Sequence, residues 1–193
     1  MMRLIFATLL MLGLMLSGCS AKPPAFTNTD VTGLEYAKDF SLKDFNGKLR
    51  NLADFKGKAV IVFFGYTQCP DVCPTTMTDL AAAMKQLGPL ADKVQVIFIT
   101  VDPERDTPLL LSKYVPAFDS RFLGLSGDAA ATAKVAKDFK VFYQKVPGKE
   151  PGSYSMDHSA GLYVYDPQGR IRLFARSGEG PDSLVHDLKI LLN

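Results

Sequence analysis

Beyond residue 40, two stretches of the chain are apolar at almost every position. The first is Lys58–Phe63, where Val, Ile and Phe follow one another between Gly57 and Gly65, and the second is Val94–Val101. An unbroken apolar run of this length is typical of a strand buried on both faces, as in parallel or mixed sheets covered by helices. The two runs therefore predict the central strands of an α/β sheet.

A helical pattern follows each of these runs. Thr75–Leu87 repeats apolar residues at helical spacing behind Pro74, and Thr107 can cap a second helix that Pro108 opens. The other predicted elements are a hairpin over 40–52 turning at Asn46-Gly47, strands over 122–125 and 141–143, a helix over 129–139, a hairpin over 161–174 and a helix over 181–192. This alternation predicts a mixed sheet flanked by helices, with an N-terminal β-hairpin.

The first residues have the pattern of a targeting segment. Arg3 precedes the apolar stretch Leu4–Leu16, which is short for a membrane span and suits the core of a signal peptide. The ending Leu-Ser-Gly-Cys resembles a bacterial lipobox, which implies cleavage before Cys19 and lipid attachment to that residue. An uncleaved N-terminal helix and an ordinary secretory signal remain alternatives.

The domain boundaries follow from this interpretation. We predict a lipoprotein signal peptide over 1–18, a lipid-anchored tether over 19–38 and a single domain over 39–193, because Ser20–Lys38 has few apolar residues and contains Pro23-Pro24. The 22 Lys and Arg against 20 Asp and Glu give a net charge of +2. With no basic face or aromatic-basic motif, nothing indicates a nucleic-acid partner.

The sequence FGYTQCPDVCP, which links the first apolar run to its helix, holds Cys69 and Cys73. At a helix start, free backbone N–H groups and the helix dipole favour thiolate over thiol. The spacing of four residues places both sulfurs on one face, where they can share a metal ion or close a disulfide. A purely structural disulfide is the weaker alternative, since so short a loop contributes only about 2 kcal/mol.

Three motifs together resemble the Sco/SenC family of thioredoxin-like copper proteins. They are FGYTQCPDVCP, VDPERDTP and SMDHSAGLYVYD, on a redoxin-like scaffold that covers about residues 35–193. The resemblance implies a thioredoxin-like fold and a membrane-tethered metallochaperone that helps assemble the binuclear copper centre of cytochrome c oxidase. It also implies copper ligation by Cys69, Cys73 and His158.

Residue type alone does not make His158 a ligand, because a lone histidine is more often structural. In proteins similar to thioredoxin the corresponding loop faces the cysteine motif, and two thiolates with one imidazole then form a trigonal site for Cu(I) or zinc. A structural zinc site needs a fourth ligand that is not apparent, so copper, as Cu(I) and/or Cu(II), is the predicted metal. His186 is predicted to be structural, and Met156 to be packing or a thioether donor. Asp71 can steer a metal donor or a partner or be a solvated loop carboxylate, and Asp102 and Asp157 can support the ligands or act as ordinary caps.

Three classes of function remain open. The first is a copper metallochaperone on the periplasmic or extracytoplasmic side of a bacterial membrane, with a copper-accepting oxidase subunit, a copper donor and a thiol reductant as partners. The second is a thiol-disulfide oxidoreductase in which Cys69 and Cys73 keep the oxidase copper-site cysteines reduced. The third, a peroxide-reducing enzyme, needs a cation near its nucleophile, and no Arg or Lys lies between Lys58 and Lys85.

Overall fold

An eight-stranded mixed sheet is the centre of the protein. The computed structural model describes residues 25–193, so the predicted signal peptide, Cys19 and the first part of the predicted tether lie outside the described residues. The strands are β1 (Thr29–Asp30), β2 (Leu42–Asp44), β3 (Leu49–Arg50), β4 (Ala59–Gly65), β5 (Val94–Thr100), β6 (Leu123–Ser126), β7 (Tyr143–Pro147), β8 (Tyr154–His158), β9 (Gly161–Tyr165) and β10 (Ile171–Arg176). The sheet order is β1-β10-β9-β4-β5-β6-β2-β3.

The two apolar runs are the central strands, as predicted. β4 pairs in parallel with β5 and antiparallel with β9, and every residue of β4 is buried. β5 in turn pairs in parallel with β6, while β2 and β3 form the predicted N-terminal hairpin. Because β4 and β5 run in the same direction, their carboxyl ends meet at one edge of the sheet.

Within residues 25–193, four α-helices flank the sheet. They are α1 (Val72–Leu87), α2 (Pro108–Tyr114), α3 (Ala129–Asp138) and α4 (Asp182–Leu191). α1 begins three residues before the predicted Thr75, so Cys73 lies inside its first turn. The predicted cap of α2 is confirmed, since the Thr107 hydroxyl accepts a hydrogen bond from the Leu110 amide at 3.2 Å. Within residues 25–193, none of the helices has the length and apolar content that crossing a bilayer requires.

One predicted strand is misplaced, because the structure has a separate two-stranded sheet in this region. The predicted strand at 141–143 lies instead at β7, which pairs with β8, a segment for which no strand was predicted. Four of the five residues of β7 are exposed, so the segment lacks the apolar periodicity from which strands are predicted. Pairing with β8 satisfies its backbone groups and places His158 opposite Tyr143 at the end of the hairpin.

The folded domain begins before residue 39, the predicted start. β1 pairs with β10, and the side chains of Val31 and Ala37 are buried in the core. Asp187 of α4 fixes this segment, because its carboxylate accepts hydrogen bonds of 2.8 Å from the backbone amides of Thr27 and Asn28. Residues 27–37 therefore belong to the folded domain rather than to a tether.

Replacing Asp187 with asparagine should lower the free energy of unfolding by about 1–3 kcal/mol near neutral pH, because an amide cannot accept the same set of bonds. Burial alone would raise the pKa of Asp187, but the Thr27 amide, His186 and Asn28 hold it below its usual value. The stability that it contributes is therefore present above the unfolded pKa of about 4 and is lost as the pH falls through the lower folded pKa.

Urea unfolding between pH 7 and pH 2 checks this prediction. The Asp187→Asn variant should show a shallower loss of stability on acidification than the wild type. Asp182→Asn, an exposed position in the first turn of the same helix, is the matched control and should follow the wild-type curve. Parallel acid profiles for the wild type and Asp187→Asn would contradict the prediction.

Candidate metal centre

The predicted ligands lie where the parallel strands β4 and β5 end. The loop after β4 carries Cys69 and leads into α1, whose first turn contains Cys73. His158 is the last residue of β8 and precedes β9, the antiparallel neighbour of β4. The sheet thus brings a histidine 85 residues away in sequence to the start of α1.

The two cysteines have different surroundings. Both are free thiols, Cys73 is fully buried and Cys69 is half-buried. The backbone amide of Cys73 points at the sulfur of Cys69, 3.4 Å away, so the first turn of α1 donates to the outer sulfur. Burial raises the pKa of the Cys73 thiol, despite a lowering contribution from the Tyr66 backbone. The predicted preference for thiolate is therefore wrong for Cys73, which must lose a proton before its sulfur can bind a cation.

His158 is held with one ring nitrogen toward Cys73. Its Nδ1 lies 3.0 Å from the carbonyl oxygen of Ser159, which can only accept, so Nδ1 carries the hydrogen and the Nε2 lone pair accepts from the Cys73 thiol. Nε2 lies 3.6 Å from Cys73 Sγ. The rings of Tyr66 and Phe63 contact the imidazole edge to face, with centroids at 5.9 and 6.5 Å. A backbone carbonyl therefore fixes the tautomer, and the supporting role considered for Asp157 is not seen.

The separation of Cys73 Sγ and His158 Nε2 fits a shared metal ion. Metal–sulfur and metal–nitrogen bonds of about 2.3 and 2.0 Å, with an angle between tetrahedral and trigonal, place the two donors about 3.5–3.7 Å apart. Across residues 25–193, no three or more His, Cys, Asp or Glu side chains are arranged to hold a metal ion as they stand. The described structure thus brings Cys73 and His158 together and leaves the Cys69 sulfur beside them, on the Cys73 amide.

The turn between β5 and α2 supports the cysteine loop through residues that sequence reasoning missed. The buried carboxylate of Asp106 accepts hydrogen bonds from the Thr67 hydroxyl at 2.5 Å, the Thr67 amide at 3.1 Å and the Thr100 hydroxyl at 2.6 Å. Burial raises the pKa of Asp106, although these hydroxyl bonds act in the opposite direction. VDPERDTP identified this turn, but no local pattern indicates which of its residues reach the loop.

A cation also reaches the loop from this turn. Arg105 donates to the Gln68 side chain at 3.1 Å, and its guanidinium carbon lies 5.7 Å from the centroid of the Tyr66 ring. It is paired with the buried carboxylate of Asp102, which offsets its charge. A peroxide-reducing enzyme needs a cation near its cysteine, and the fold brings Arg105 close to the loop although no Arg or Lys is near it in sequence. This cation is, however, ion-paired with Asp102.

The last residue of β4 must be glycine for the site to close. A Cβ on Gly65 would lie 3.0 Å from Cys73 Sγ and 2.8 Å from a ring carbon of Phe98. Gly65→Ala should therefore lower the free energy of unfolding by about 1–3 kcal/mol through overpacking and displace the Cys73 sulfur from His158. Chemical denaturation and a competitive copper titration check the two parts, and wild-type values in both would contradict the prediction.

Comparison with known proteins gives consistent matches over the described domain. The profile of the family described as SCO1/SenC matches residues 29–193. The bovine mitochondrial protein named as a SCO2 homolog is 44% identical over 133 residues, which are 68% of this chain and 50% of that protein. The chain thus spans about half the length of this curated relative.

Two solved structures share the fold at high identity. Bradyrhizobium japonicum ScoI, solved with copper bound, is 45% identical with a TM-score of 0.73, covering 80% of this chain and 98% of that one. The apo Sco1 protein from Thermus thermophilus, solved in solution, is 41% identical with a TM-score of 0.78, covering 89% and 100%. These matches, with the mixed sheet described above, confirm the predicted thioredoxin-like α/β fold.

Proposed function

Because the chain belongs to the SCO1/SenC family, we propose that it is a membrane-anchored, extracytoplasmic copper metallochaperone for the binuclear copper centre of cytochrome c oxidase. The family resemblance predicted from the three motifs is thereby confirmed, and a relative 45% identical to this chain was solved with copper bound. Within this chain, the observation that carries the proposal is the 3.6 Å separation of Cys73 Sγ and His158 Nε2.

The residues have distinct roles in this proposal. Cys69, the half-buried sulfur, is the first to meet copper that arrives from a donor. Cys73 then exchanges its thiol proton for the metal ion, and His158 supplies the Nε2 lone pair that already faces the same space. Two sulfurs and one imidazole are a soft donor set that selects copper, whereas a structural zinc site requires a fourth ligand.

The cellular location of the domain is part of the same proposal. A signal peptide over 1–18 and lipid on Cys19 place the domain on the periplasmic or extracytoplasmic side of a bacterial membrane. In that oxidising compartment the two thiols form a disulfide unless a reductant acts on them. The proposed partners are thus a copper-accepting oxidase subunit, a copper donor and a thiol reductant.

Copper loading and transfer test this function. The reduced protein, purified in detergent, should bind about one copper per chain and show a sulfur-to-Cu(II) charge-transfer band that requires Cys69, Cys73 and His158. The loaded protein should then pass its copper to the soluble copper-binding domain of an oxidase subunit. A chain that binds copper but never transfers it would contradict the chaperone role, and a chain that binds none would contradict the site.

A thiol-disulfide oxidoreductase is the second candidate function. The observation in its favour is the position of the Cys69 sulfur, which is half-buried and 3.4 Å from the amide of Cys73, as a dithiol pair requires for exchange. Copper-free His158→Ala protein that reduces an oxidised oxidase copper domain at the wild-type rate would favour this function. Rapid peroxide turnover by the same protein would instead favour the third class, the peroxide-reducing enzyme.

A further inference from the structure

The position of His158 depends on a hairpin that stands outside the main sheet. β7 and β8 pair only with each other, so the main sheet holds this hairpin only at the end of β8, where His158 leads into β9. The turn that follows β5, residues 101–107, contacts both the hairpin and the loop. Its side chains therefore hold the rest of the hairpin against the cysteine loop.

Arg105 bridges the two ligand-bearing segments directly. Its Nη1 donates to the backbone carbonyl of Tyr154 in β8 at 2.8 Å and to the side-chain oxygen of Gln68, the neighbour of Cys69, at 3.1 Å. The guanidinium also stacks on the Tyr154 ring, with its carbon 3.6 Å from the ring centroid. One planar group thus touches both the start of β8 and the residue before the outer cysteine.

The orientation of this guanidinium is itself fixed. Its Nε pairs with the carboxylate of Asp102, which is buried and also accepts a hydrogen bond from the Tyr154 hydroxyl at 2.9 Å. Only 20% of the Arg105 side chain is exposed. Its Nη2 is buried and has no acceptor among residues 25–193. The guanidinium is held instead by stacking on Tyr154 and by three hydrogen bonds, from Nε to Asp102 and from Nη1 to Gln68 and the Tyr154 carbonyl.

We propose that Arg105 is a positioning residue that sets the separation between the cysteine loop and His158. This proposal rests on the proposed function, since the separation that it controls is that of the copper ligands. The planar fork is what the bridge requires, because its donors must reach Asp102, Gln68 and the Tyr154 carbonyl in three different directions. A lysine keeps the charge but offers one compact ammonium group, which cannot span the same acceptors.

The first test uses metal-free, reduced protein, so that it does not depend on copper. In the wild type, nuclear Overhauser effects should connect the His158 ring with the Cys73 β protons, and the β8 amides should exchange slowly. In Arg105→Ala and Arg105→Lys, we expect those effects to disappear and exchange to accelerate in residues 154–158, while exchange in β9 remains unchanged. Retained contacts in Arg105→Lys, or equally accelerated exchange in β9, would overturn the proposal.

Lys145→Ala is the matched control. Lys145 also joins the hairpin to the turn, through an ion pair of 2.6 Å with Glu104, and its ammonium lies 4.8 Å from the centroid of the Tyr154 ring. It does not reach the cysteine loop through any described contact, so its loss should leave the His158 contacts and the β8 exchange at wild-type values. If Lys145→Ala behaves like Arg105→Ala, the loss of any contact between the hairpin and the turn has the same effect and the proposed role of Arg105 is wrong.

The second test measures copper binding by competition with a chelator of known affinity. Both Arg105 variants should bind copper about 10- to 100-fold more weakly than the wild type, the usual loss when a group that orients a ligand is removed. The sulfur-to-copper band should remain while the nitrogen hyperfine signal of His158 weakens. If the wild type itself binds no copper, the proposed function fails, whereas the metal-free measurements still decide the role of Arg105.

Discussion

Replacing His158 with alanine should lower copper affinity by at least about 100-fold, so that desalted protein retains far less than one copper per chain. The loss should exceed the effect of removing an orienting group, because the variant lacks a donor atom itself. The structure supports this expectation through the Nε2 lone pair, which faces Cys73 Sγ at 3.6 Å while Nδ1 is committed to the Ser159 carbonyl.

The chain offers a matched control for this variant, since its only other histidine is His186. That side chain is 54% exposed on α4 and binds Asp187 and Thr27 instead of a cysteine. His186→Ala should therefore keep wild-type copper content and the sulfur-to-Cu(II) band. Measurements by metal analysis and absorption spectroscopy decide the matter, and unchanged affinity in His158→Ala would remove His158 from the ligand set.

Replacing Cys73 with serine should have two large effects, whereas Cys69→Ser should have only one of them. Both variants should lose stoichiometric copper, because an alcohol oxygen is a poor donor for a soft cation. Cys73→Ser should also lower the free energy of unfolding by about 1–3 kcal/mol, since it replaces a closely packed sulfur by a smaller and more polar hydroxyl in a fully buried position. Cys69 is half-buried in a loop, so its substitution should change stability by about 0.5 kcal/mol or less.

Metal-free protein under reducing conditions separates these effects. Denaturant titrations of the two variants give their stabilities, and a thiol-specific reagent applied to the native wild type should label Cys69 quickly. Cys73 should react only when the protein opens, because its sulfur is buried and its pKa is raised by burial. Equal stabilities for the two variants, or equal labelling rates for the two thiols, would contradict the asymmetry.

This asymmetry has a consequence for metal exchange between proteins. A partner can approach the half-buried Cys69, whereas Cys73 and the inner edge of the His158 ring lie behind it. Copper that leaves the site would exchange its outer sulfur first, and Cys73 would take up a proton as the metal departs.

Several parts of the site were predictable because they depend on short stretches of sequence. The apolar runs that form β4 and β5 are long enough to identify buried strands, and the strand-to-helix order places Cys69 and Cys73 at the carboxyl end of a parallel strand. The start of α2 was predictable as well, because Thr107 caps this helix and Pro108 is its first residue. The ligand role of the predicted residues nevertheless stays a prediction until copper is measured.

Other parts were not predictable from local patterns. β7 and β8 are short and largely polar, so their pairing was missed, and with it the strand on which His158 lies. Residues 27–37 fall within the predicted tether because they include few apolar residues, yet buried Asp187 accepts from the first two backbone amides of this segment and β1 pairs with β10. In both cases backbone hydrogen bonds to distant residues decide the structure, and such bonds leave no periodicity in the sequence.

Local sequence is sufficient to predict the central strands, the helix that carries the cysteines and the family motifs, because burial, capping and spacing act within a few residues. Tertiary contacts are required for His158 to meet Cys73, for Gly65 to leave room for the Cys73 sulfur and for Arg105 to bridge Gln68 to Tyr154. These contacts join segments separated by up to 85 residues. Their geometry follows from how the turn after β5 and the β7–β8 hairpin pack at one edge of the sheet.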